Sequence, residues 1–458
     1  MSRPTNVRVR GTTLYFLPVQ TRMPLKFGAQ VVDRVSCARV CVRVEDSRGR
    51  SAVGWGETPL SVAWVWPSPL TWEERETRMQ DFCRTLAREL PAFDASGHPM
   101  ELGDAFQRHR LHALLDAHNA AHAEPMPHLA ALVCHSLFDL AVFDAFGVLH
   151  ERPVFELLGE EFLGSDLAYF FDGDARFAGQ RPAHYLRPRQ NLMPVWHLIG
   201  GLDPIERDDL TGSEPNDGYP VLLRDWIRAD GLRCLKIKLR GTDAEWDIAR
   251  IVQIGRMSIE EGVLWLTADF NCTVTDPVYV TDILDRLLIE EPHIYGMLLY
   301  IEQPFPYDLE AHRIDVRSVS ARKPLFLDES AHDWRFVRLG RELGWTGVAL
   351  KTCKTLTGAL LSLCWARAHG MTLMVQDLTN PMFAQIPHVL LAAHAGTIMG
   401  VESNAMQFYP NASLPELAVH PGIFRRREGV LDLGTLRGPG FGYRGSEILR
   451  ALPPAENL

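Results

Sequence analysis

The first third of the chain shows two hydrophobic patterns in succession, first strand-like runs and then apolar positions at helical spacing. β-rich runs at residues 35–46 and 52–60 flank a polar turn, a pattern that predicts an antiparallel hairpin. Ahead of them, residues 22–30 show no periodicity and are predicted to form a loop. Apolar positions then recur at helical spacing, and segment 128–148 has an apolar face broad enough for a largely buried helix. The pattern predicts an α+β domain over residues 1–160.

From about residue 165 short apolar runs alternate with amphipathic segments. The predicted strands are 193–200, 234–239, 263–270, 297–304, 324–330, 348–353, 372–377 and 397–403. Eight strands alternating with helices predict an α/β fold, a (β/α)8 barrel of the TIM type in modified form, over residues 161–410. The alternative is a doubly wound sheet, but its Gly-rich phosphate-binding turn is missing after every one of these strands.

Three further segments do not fit the barrel repeat. Residues 171–193 and 201–219 are polar and turn-rich, and we interpret them as insertions that lie near the site and could reshape it. The tail 411–458 becomes strand-like again. We expect this C-terminal segment to return to the N-terminal region and complete a capping domain.

Composition excludes several classes of protein. A net charge of −10 without a basic face argues against nucleic acid as a partner. The apolar runs look too short to span a bilayer, and the first residues do not resemble a signal peptide, so we expect no membrane partner. Eight cysteines are scattered without a CxxC pair, which favours reduced thiols in a cytoplasmic protein.

Charged residues end five successive predicted strands, roughly one strand-plus-helix unit apart. They are Lys236 with Lys238, then Asp269, Glu302, Asp328 and Lys351. Because the strands of a barrel end on one face, these side chains should meet there. Packing alone does not explain three carboxylates and three lysines in such positions.

Lys236 and Lys238 are two residues apart on one strand, so their side chains point the same way. Repulsion between them is expected to lower the pKa of at least one, which would let it accept a proton. Lys351 would face Lys238 from the opposite wall. Lys354 follows the strand run and is interpreted as a solvated loop residue.

Three carboxylates on adjacent strands offer the hard oxygen ligands that Mg²⁺ prefers. They are Asp269, Glu302 and Asp328. The choice between Asp328 and Glu329 as the third ligand stays open, although the strand run ends at Asp328. Outside this set, four residues could contact the ligands or the substrate: Asn271, Glu329, Asp377 and Glu402.

Five motifs in this order resemble the muconate lactonizing enzyme-like subgroup of the enolase superfamily, the mandelate racemase/muconate lactonizing enzyme family. They are LKIKLRG, LTADFN, YIEQPF, FLDES and ALKTCK, and GWGETP and GPGFG resemble its capping-domain motifs. The resemblance implies that Asp269, Glu302 and Asp328 bind Mg²⁺. It further implies that Lys238 and Lys351 form the acid/base pair, with Lys236 as an auxiliary lysine. It also implies that the segment around 22–30 folds over the substrate and that the chain forms a homo-oligomer.

The reaction implied by this resemblance is removal of the proton α to a carboxylate, through an enolate that Mg²⁺ stabilises. Racemisation or epimerisation, cycloisomerisation and dehydration are the possible outcomes, on a small-molecule carboxylate substrate. Two alternatives remain: a non-catalytic barrel that binds a carboxylate, and a metal-dependent hydrolase. A hydrolase site would draw on several histidines, and only His197 lies near a strand end.

Overall fold

A computed structural model describes residues 3–27 and 30–458. The strands are β1 (Val7–Phe27), β2 (Gln30–Asp46), β3 (Ser51–Pro59), β4 (Leu192–Ile199), β5 (Cys234–Lys238), β6 (Trp265–Asp269), β7 (Leu298–Glu302), β8 (Leu325–Leu327), β9 (Gly347–Leu350), β10 (Thr372–Val375), β11 (Val401–Glu402) and β12 (Val430–Asp432).

The α-helices lie mostly between these strands. They are α1 (Val62–Val65), α2 (Trp72–Ala92), α3 (Pro99–Phe106), α4 (His112–Asn119), α5 (His128–Leu149), α6 (Leu167–Phe170), α7 (Leu223–Asp230), α8 (Ala244–Glu261), α9 (Pro277–Glu290), α10 (Pro292–Met297), α11 (Arg317–Ser320), α12 (Trp334–Leu343), α13 (Leu356–Ala368), α14 (Gln385–Ala395), α15 (Ala405–Phe408), α16 (Leu414–Val419) and α17 (Pro421–Phe424).

The N-terminal sheet is antiparallel in the order β1-β2-β3. The prediction of a loop at 22–30 is wrong for residues 22–27 and 30, because β1 continues to Phe27, which pairs with Gln30; positions 28 and 29 lie outside the described residues. An irregularity in register between Gln20 and Leu25 breaks the alternation of side chains, so the sequence there shows no strand period. The hairpin is therefore longer than its sequence pattern indicates.

Helix α5 packs across this sheet and forms the centre of the capping core. It is 22 residues long with a mean hydropathy of 1.7, so by length and composition it could cross a bilayer, contrary to the expectation from the sequence. Its apolar window is 94% buried inside the protein, which is the surrounding of a core helix. Gly54 and Gly56 of β3 let it approach closely, since a Cβ at either would lie about 2 Å from the α5 backbone.

The second sheet contains all eight predicted barrel strands, parallel and in chain order from β4 to β10, with β11 beside β4. Near the two ends of this order, Ile398 N–H donates to the Leu373 carbonyl oxygen (2.8 Å), so the sheet is curled. The α/β class of the prediction is confirmed. Each parallel strand is buried on both faces, as expected when helices cover the sheet.

The C-terminal segment contacts both parts of the molecule. Strand β12 pairs antiparallel with β4 of the curled sheet. Farther along, Phe441 N–H donates to Asp144 of α5 (2.8 Å), and Glu456 N–H donates to the Leu14 carbonyl of β1 (2.9 Å). The tail thus contacts the N-terminal region and also extends the curled sheet.

The two insertions occupy different places. Residues 201–219 reach the hairpin, where Arg22 of β1 pairs with Asp217 (2.8 Å). Residues 171–193 instead pack on outer helices, for example through Phe171 against Trp334 of α12. The expectation that both lie near the site is wrong for 171–193, because none of the described residues of that range lines the cavity described below.

Candidate active site

Alternate residues of the parallel strands build two layers inside the curled sheet. The lower layer is apolar: Trp196, Cys234, Tyr300, Phe326 and Met374. Two residues farther along the same strands stands a second layer: Leu198, Lys236, Glu302, Asp328 and Gln376. Because side chains two apart on a strand share a face, the apolar layer forms a floor and the polar layer stands above it.

Lys236 is surrounded by carboxylates. Its Nζ lies 2.6 Å from Glu302, 3.0 Å from Glu402 and 3.1 Å from Asp269. Burial alone would lower the pKa of Lys236, but the three carboxylates outweigh it and hold this pKa well above its usual value. Repulsion from Lys238 therefore does not lower the pKa of Lys236.

The pKa values of Glu302 and Asp269 are shifted in opposite directions. Burial raises the pKa of Glu302 well above its usual value, and the charge of Asp269 adds to this. Burial would also raise the pKa of Asp269, but Lys238 at 2.5 Å and Lys236 hold it below its usual range. Gln376 donates to Glu302 as well, so this carboxylate is held from two sides.

Two lysines meet Asp328 on the far side of the cavity. Lys351 Nζ lies 3.1 Å from Asp328, and the pKa of Lys351 is raised because Asp328 outweighs the effect of burial. Lys354 Nζ donates to the Asp328 carbonyl and lies 3.4 Å from its carboxylate. The interpretation of Lys354 as a solvated loop residue is wrong, because a 3-10 turn at Thr352–Lys354 folds it back inward.

Glu329 faces away from the lysines. Its Oε1 accepts from Trp64 Nε1 (3.0 Å) and from Asn271 Nδ2 (3.3 Å). The structure thus separates the neighbours at this strand end: Asp328 contacts lysines, and Glu329 contacts the capping domain. This arrangement favours Asp328 as a metal ligand, which stays a prediction.

Asp377 and Glu402 are joined through Asn404. Asn404 donates its backbone N–H to Asp377 (2.9 Å) and its side-chain amide to Glu402 (2.8 Å). Since Lys236 contacts Glu402 and Lys351 donates to the Asp377 carbonyl (3.2 Å), this chain of bonds links the two lysine groups. Both predicted residues lie at the site.

Sequence reasoning did not include three residues in the predicted site: Lys354, Trp64 and Gln303. Gln303 is buried, and its Oε1 accepts from the Asp328 N–H (2.7 Å) and the Ser330 hydroxyl (2.7 Å), so it fixes the β8 end. Its position directly after Glu302 was the available signal. Trp64 is 265 positions from its partner Glu329, and no local pattern indicates such a contact.

Lys236, Lys238 and Lys351 line a cavity of about 50 Å³ beneath the N-terminal hairpin. Leu25 and Phe27 of β1 form part of its wall, and the Phe27 ring lies 5.8 Å from Lys238 Nζ. On the opposite side, the Trp64 ring lies 4.9 Å from Lys351 Nζ. Residues 22–27 therefore contribute to the cover of the site, although as a strand rather than a loop.

The charges of the site do not balance. Four ammonium groups (Lys236, Lys238, Lys351 and Lys354) meet six carboxylates (Asp269, Glu302, Asp328, Glu329, Asp377 and Glu402). Full ionisation leaves two negative charges in excess, which equals the charge of one divalent cation. A hard cation would also relieve the repulsion that raises the pKa of Glu302.

The donor set thus fits Mg²⁺ in chemistry and charge. In the parts of the chain that the structure describes, no three His, Cys, Asp or Glu side chains are grouped as ligands of one ion. The ammonium groups contact the oxygens that a metal would use. Ligation would therefore require the lysine contacts to shift.

Residues 220–447 match the family model described as enolase C-terminal domain-like. This range includes the strand ends that carry the lysines and all six carboxylates. The chain belongs to the enolase superfamily. The resemblance drawn from the five motifs is confirmed at that level.

Other members of the superfamily show the same fold. An aromatic dipeptide epimerase from Herpetosiphon aurantiacus is 25% identical over 258 residues, which are 55% of this chain and 67% of that protein. A muconate lactonizing enzyme from Mycobacterium smegmatis, complexed with muconolactone, aligns with a TM-score of 0.62 and 18% identity, over 95% of this chain and 96% of the other. A dipeptide epimerase from Enterococcus faecalis V583, complexed with Mg and L-Leu-L-Tyr, aligns with a TM-score of 0.61 and 16% identity, over 95% and 99%.

These superfamily relatives confirm the prediction of an enzyme, since the named ones are isomerases. His197, the histidine on which a hydrolase site would depend, packs on Trp226 of α7 with ring centroids 5.6 Å apart. It does not line the lysine cavity. The described residues therefore give the hydrolase alternative no histidine at the site.

Proposed function

We propose that this chain is a Mg²⁺-dependent isomerase or lyase that removes the proton α to the carboxylate of a small substrate. The observation that carries the proposal is the pair of lysine groups at one buried cavity, one at the end of β5 beside Asp269 and one after β9 beside Asp328. Four strand positions separate β5 from β9, so in a closed eight-stranded barrel the two groups stand on opposite walls.

Two proton-transfer groups on opposite sides of a carbon allow either face to lose or gain a proton. Lys238 and Lys351 are the proposed pair, and Lys236 orients Glu302 and Asp269 between them. Asp269, Glu302 and Asp328 would hold Mg²⁺, which when bound supplies positive charge against the substrate carboxylate. Racemisation, epimerisation, dehydration and the ring-opening direction of cycloisomerisation begin with this proton removal, and the ring-closing direction ends with the reverse step, protonation of the enolate.

The relatives support a carboxylate substrate. Muconolactone and a dipeptide are the ligands named for two of them, and both molecules carry a carboxylate. The floor of aromatic rings and the hairpin cover would exclude water from the reacting carbon, because the lysine cavity is enclosed by buried side chains.

Solvent exchange tests the proposal directly. Acid sugars, dipeptides and N-acylamino acids would be incubated with the protein and Mg²⁺ in deuterated water, and α-deuteration followed by NMR. We expect exchange in at least one class, and loss of exchange in Lys238→Gln and Lys351→Gln. Lys323→Gln is the matched control, since Lys323 precedes β8 at the other end of the strand and packs on Tyr295. Full exchange in both site variants would refute the assignment.

A further inference from the structure

A second cavity, of about 310 Å³, lies beside the lysine cavity. Phe27 and Trp64 line both, so the two spaces are neighbours with these rings as common walls. Most of its lining is apolar: Ala63, Val65, Pro67, Leu129, Pro306 and Tyr307. Such walls suit a bulky apolar group.

Asn271 and Glu329 are among the polar residues that line this second cavity from the barrel side. Glu329 is 5% exposed, and its Oε1 already accepts from Trp64 and Asn271. Its Oε2 and Asn271 Oδ1 are buried and have no hydrogen-bond partner among the described residues. Buried acceptors are normally paired, so these two atoms call for a donor.

The orientation of Asn271 is fixed by its neighbours. Its Nδ2 donates to Glu329 Oε1, and turning the amide over would place Oδ1 against that oxygen. Its backbone N–H donates to Asp269 (2.9 Å), and its φ of 47° is one that Asn tolerates well. The free Oδ1 is consequently an acceptor, and the free Oε2 is an acceptor in the carboxylate form of Glu329.

We propose that Glu329 and Asn271 bind an ammonium group of the substrate, while the apolar walls of the second cavity receive a bulky side chain. Two acceptors from two residues require two hydrogens, which an ammonium supplies and a single hydroxyl does not. The inference rests on the proposed function, since it places the remainder of a molecule whose carboxylate lies among the lysines. Asn271 and Glu329 are then specificity residues that contact substrate away from the reacting carbon.

Matched amino and hydroxy acids test this assignment. The probes are L-phenylalanine with L-3-phenyllactate, and 3-amino-3-phenylpropanoate with 3-hydroxy-3-phenylpropanoate, titrated calorimetrically in the presence of Mg²⁺. In at least one pair, we expect the amino compound to bind roughly 10- to 100-fold more tightly, as for a hydrogen bond to a charged acceptor.

Two variants test whether Glu329 and Asn271 cause the preference for the amino compound. Glu329→Gln retains an oxygen for Trp64 but replaces the free acceptor by a donor, and Asn271→Gly removes Oδ1 without changing charge at a position whose φ suits glycine. Both should reduce the amino preference at least severalfold. Glu290→Gln, an exposed carboxylate on the outer helix α9, is the control and should retain it.

The two proposals can fail separately. Equal binding within both pairs by the unmodified protein, or a preference that neither variant alters, would overturn the ammonium assignment even if α-proton exchange is observed. An amino preference that depends on Asn271 and Glu329, without exchange in any substrate class, would overturn the proposed reaction and leave the binding assignment standing.

Discussion

Two clusters of buried charged residues in this chain differ in their charge balance and in the type of cation that they contain. The arginine cluster joins the capping sheet to the C-terminal segment: Arg39, Glu57, Glu416 and Arg450. The lysine site comprises the four lysines and six carboxylates described above. The first cluster balances two guanidinium groups against two carboxylates, whereas the second leaves an excess of negative charge.

The choice of cation matches this difference. Arg39 contacts both glutamates and stacks on Phe383 at 4.0 Å, so its planar group is held on several sides. Lysine is a point charge whose proton can be transferred, and three of the site lysines contact more than one acceptor. A balanced cluster of arginines joins elements, whereas an unbalanced cluster of lysines can accept a metal and move protons.

The largest expected effect is on the rate of α-proton exchange, and it follows from a substitution in the lysine site. Lys351→Gln should lower α-proton exchange by about 10²- to 10⁴-fold, the usual contribution of a positioned acid or base. Its stability should change little, because Lys354 still contacts Asp328. Exchange by NMR and denaturant unfolding measure the two quantities. A variant that unfolds while the residual folded protein exchanges normally would contradict the comparison.

The arginine cluster should show the reverse behaviour. Arg39→Leu leaves the buried Glu57 without its cation and should lower the free energy of unfolding by about 3–5 kcal/mol. The double variant Arg39→Leu/Glu57→Leu should recover much of this loss. Denaturant midpoints at constant slope give the values, and a single variant as stable as the unmodified protein would show that the cluster does not hold the fold.

Mg²⁺ should stabilise the protein through the lysine site alone. A ligand at 100 times its dissociation constant adds about 2.7 kcal/mol to the free energy of unfolding. Glu302→Gln should remove this gain, and Glu290→Gln should keep it. Thermal unfolding with and without MgCl₂ is the measurement, and an equal gain in both variants would place the metal elsewhere.

Asp144 provides the smallest effect when it is counted per pH unit, and it is a third kind of buried ionisable group. Burial raises the pKa of Asp144 to about 7, although the N–H groups of Phe441 and Trp55 donate to it. Between about pH 4 and 7 the folded state keeps a proton that the unfolded chain has lost, so stability falls as pH rises, by at most about 1.4 kcal/mol per pH unit. Asp144→Asn should flatten this slope; an unchanged slope would assign it to other groups.

The lysine site was largely predictable because its information is local. Each strand ends in an apolar run followed by a charged residue, and the two-residue period places Lys236 and Lys238 together. Lys354 was missed because a short 3-10 turn, not the strand, orients it. The direction of the pKa of Lys236 was not predictable, because Glu302 and Glu402, which raise it, arrive from other strands.

The fold likewise has parts that the local sequence predicts and parts that depend on contacts between distant segments. Strand order and helix positions follow from periodicity, which each segment carries by itself. Residues 22–27 became a strand only through pairing with residues 30–32, across an irregular register. The insertion 171–193 shows no signal for its location, because contacts such as Phe171 with Trp334 join distant segments.

Strand β1 also determines when the site can be completed. Its first half, with Val7 and Leu14, packs in the capping core, and its second half, with Leu25, packs with Phe408 and Leu452 near the end of the chain. Strand β1 therefore takes packing partners from segments that lie far along the chain. The wall that Leu25 and Phe27 form is complete only when these later segments have packed, so removal of the residues around Leu452 should disturb the wall of the lysine cavity.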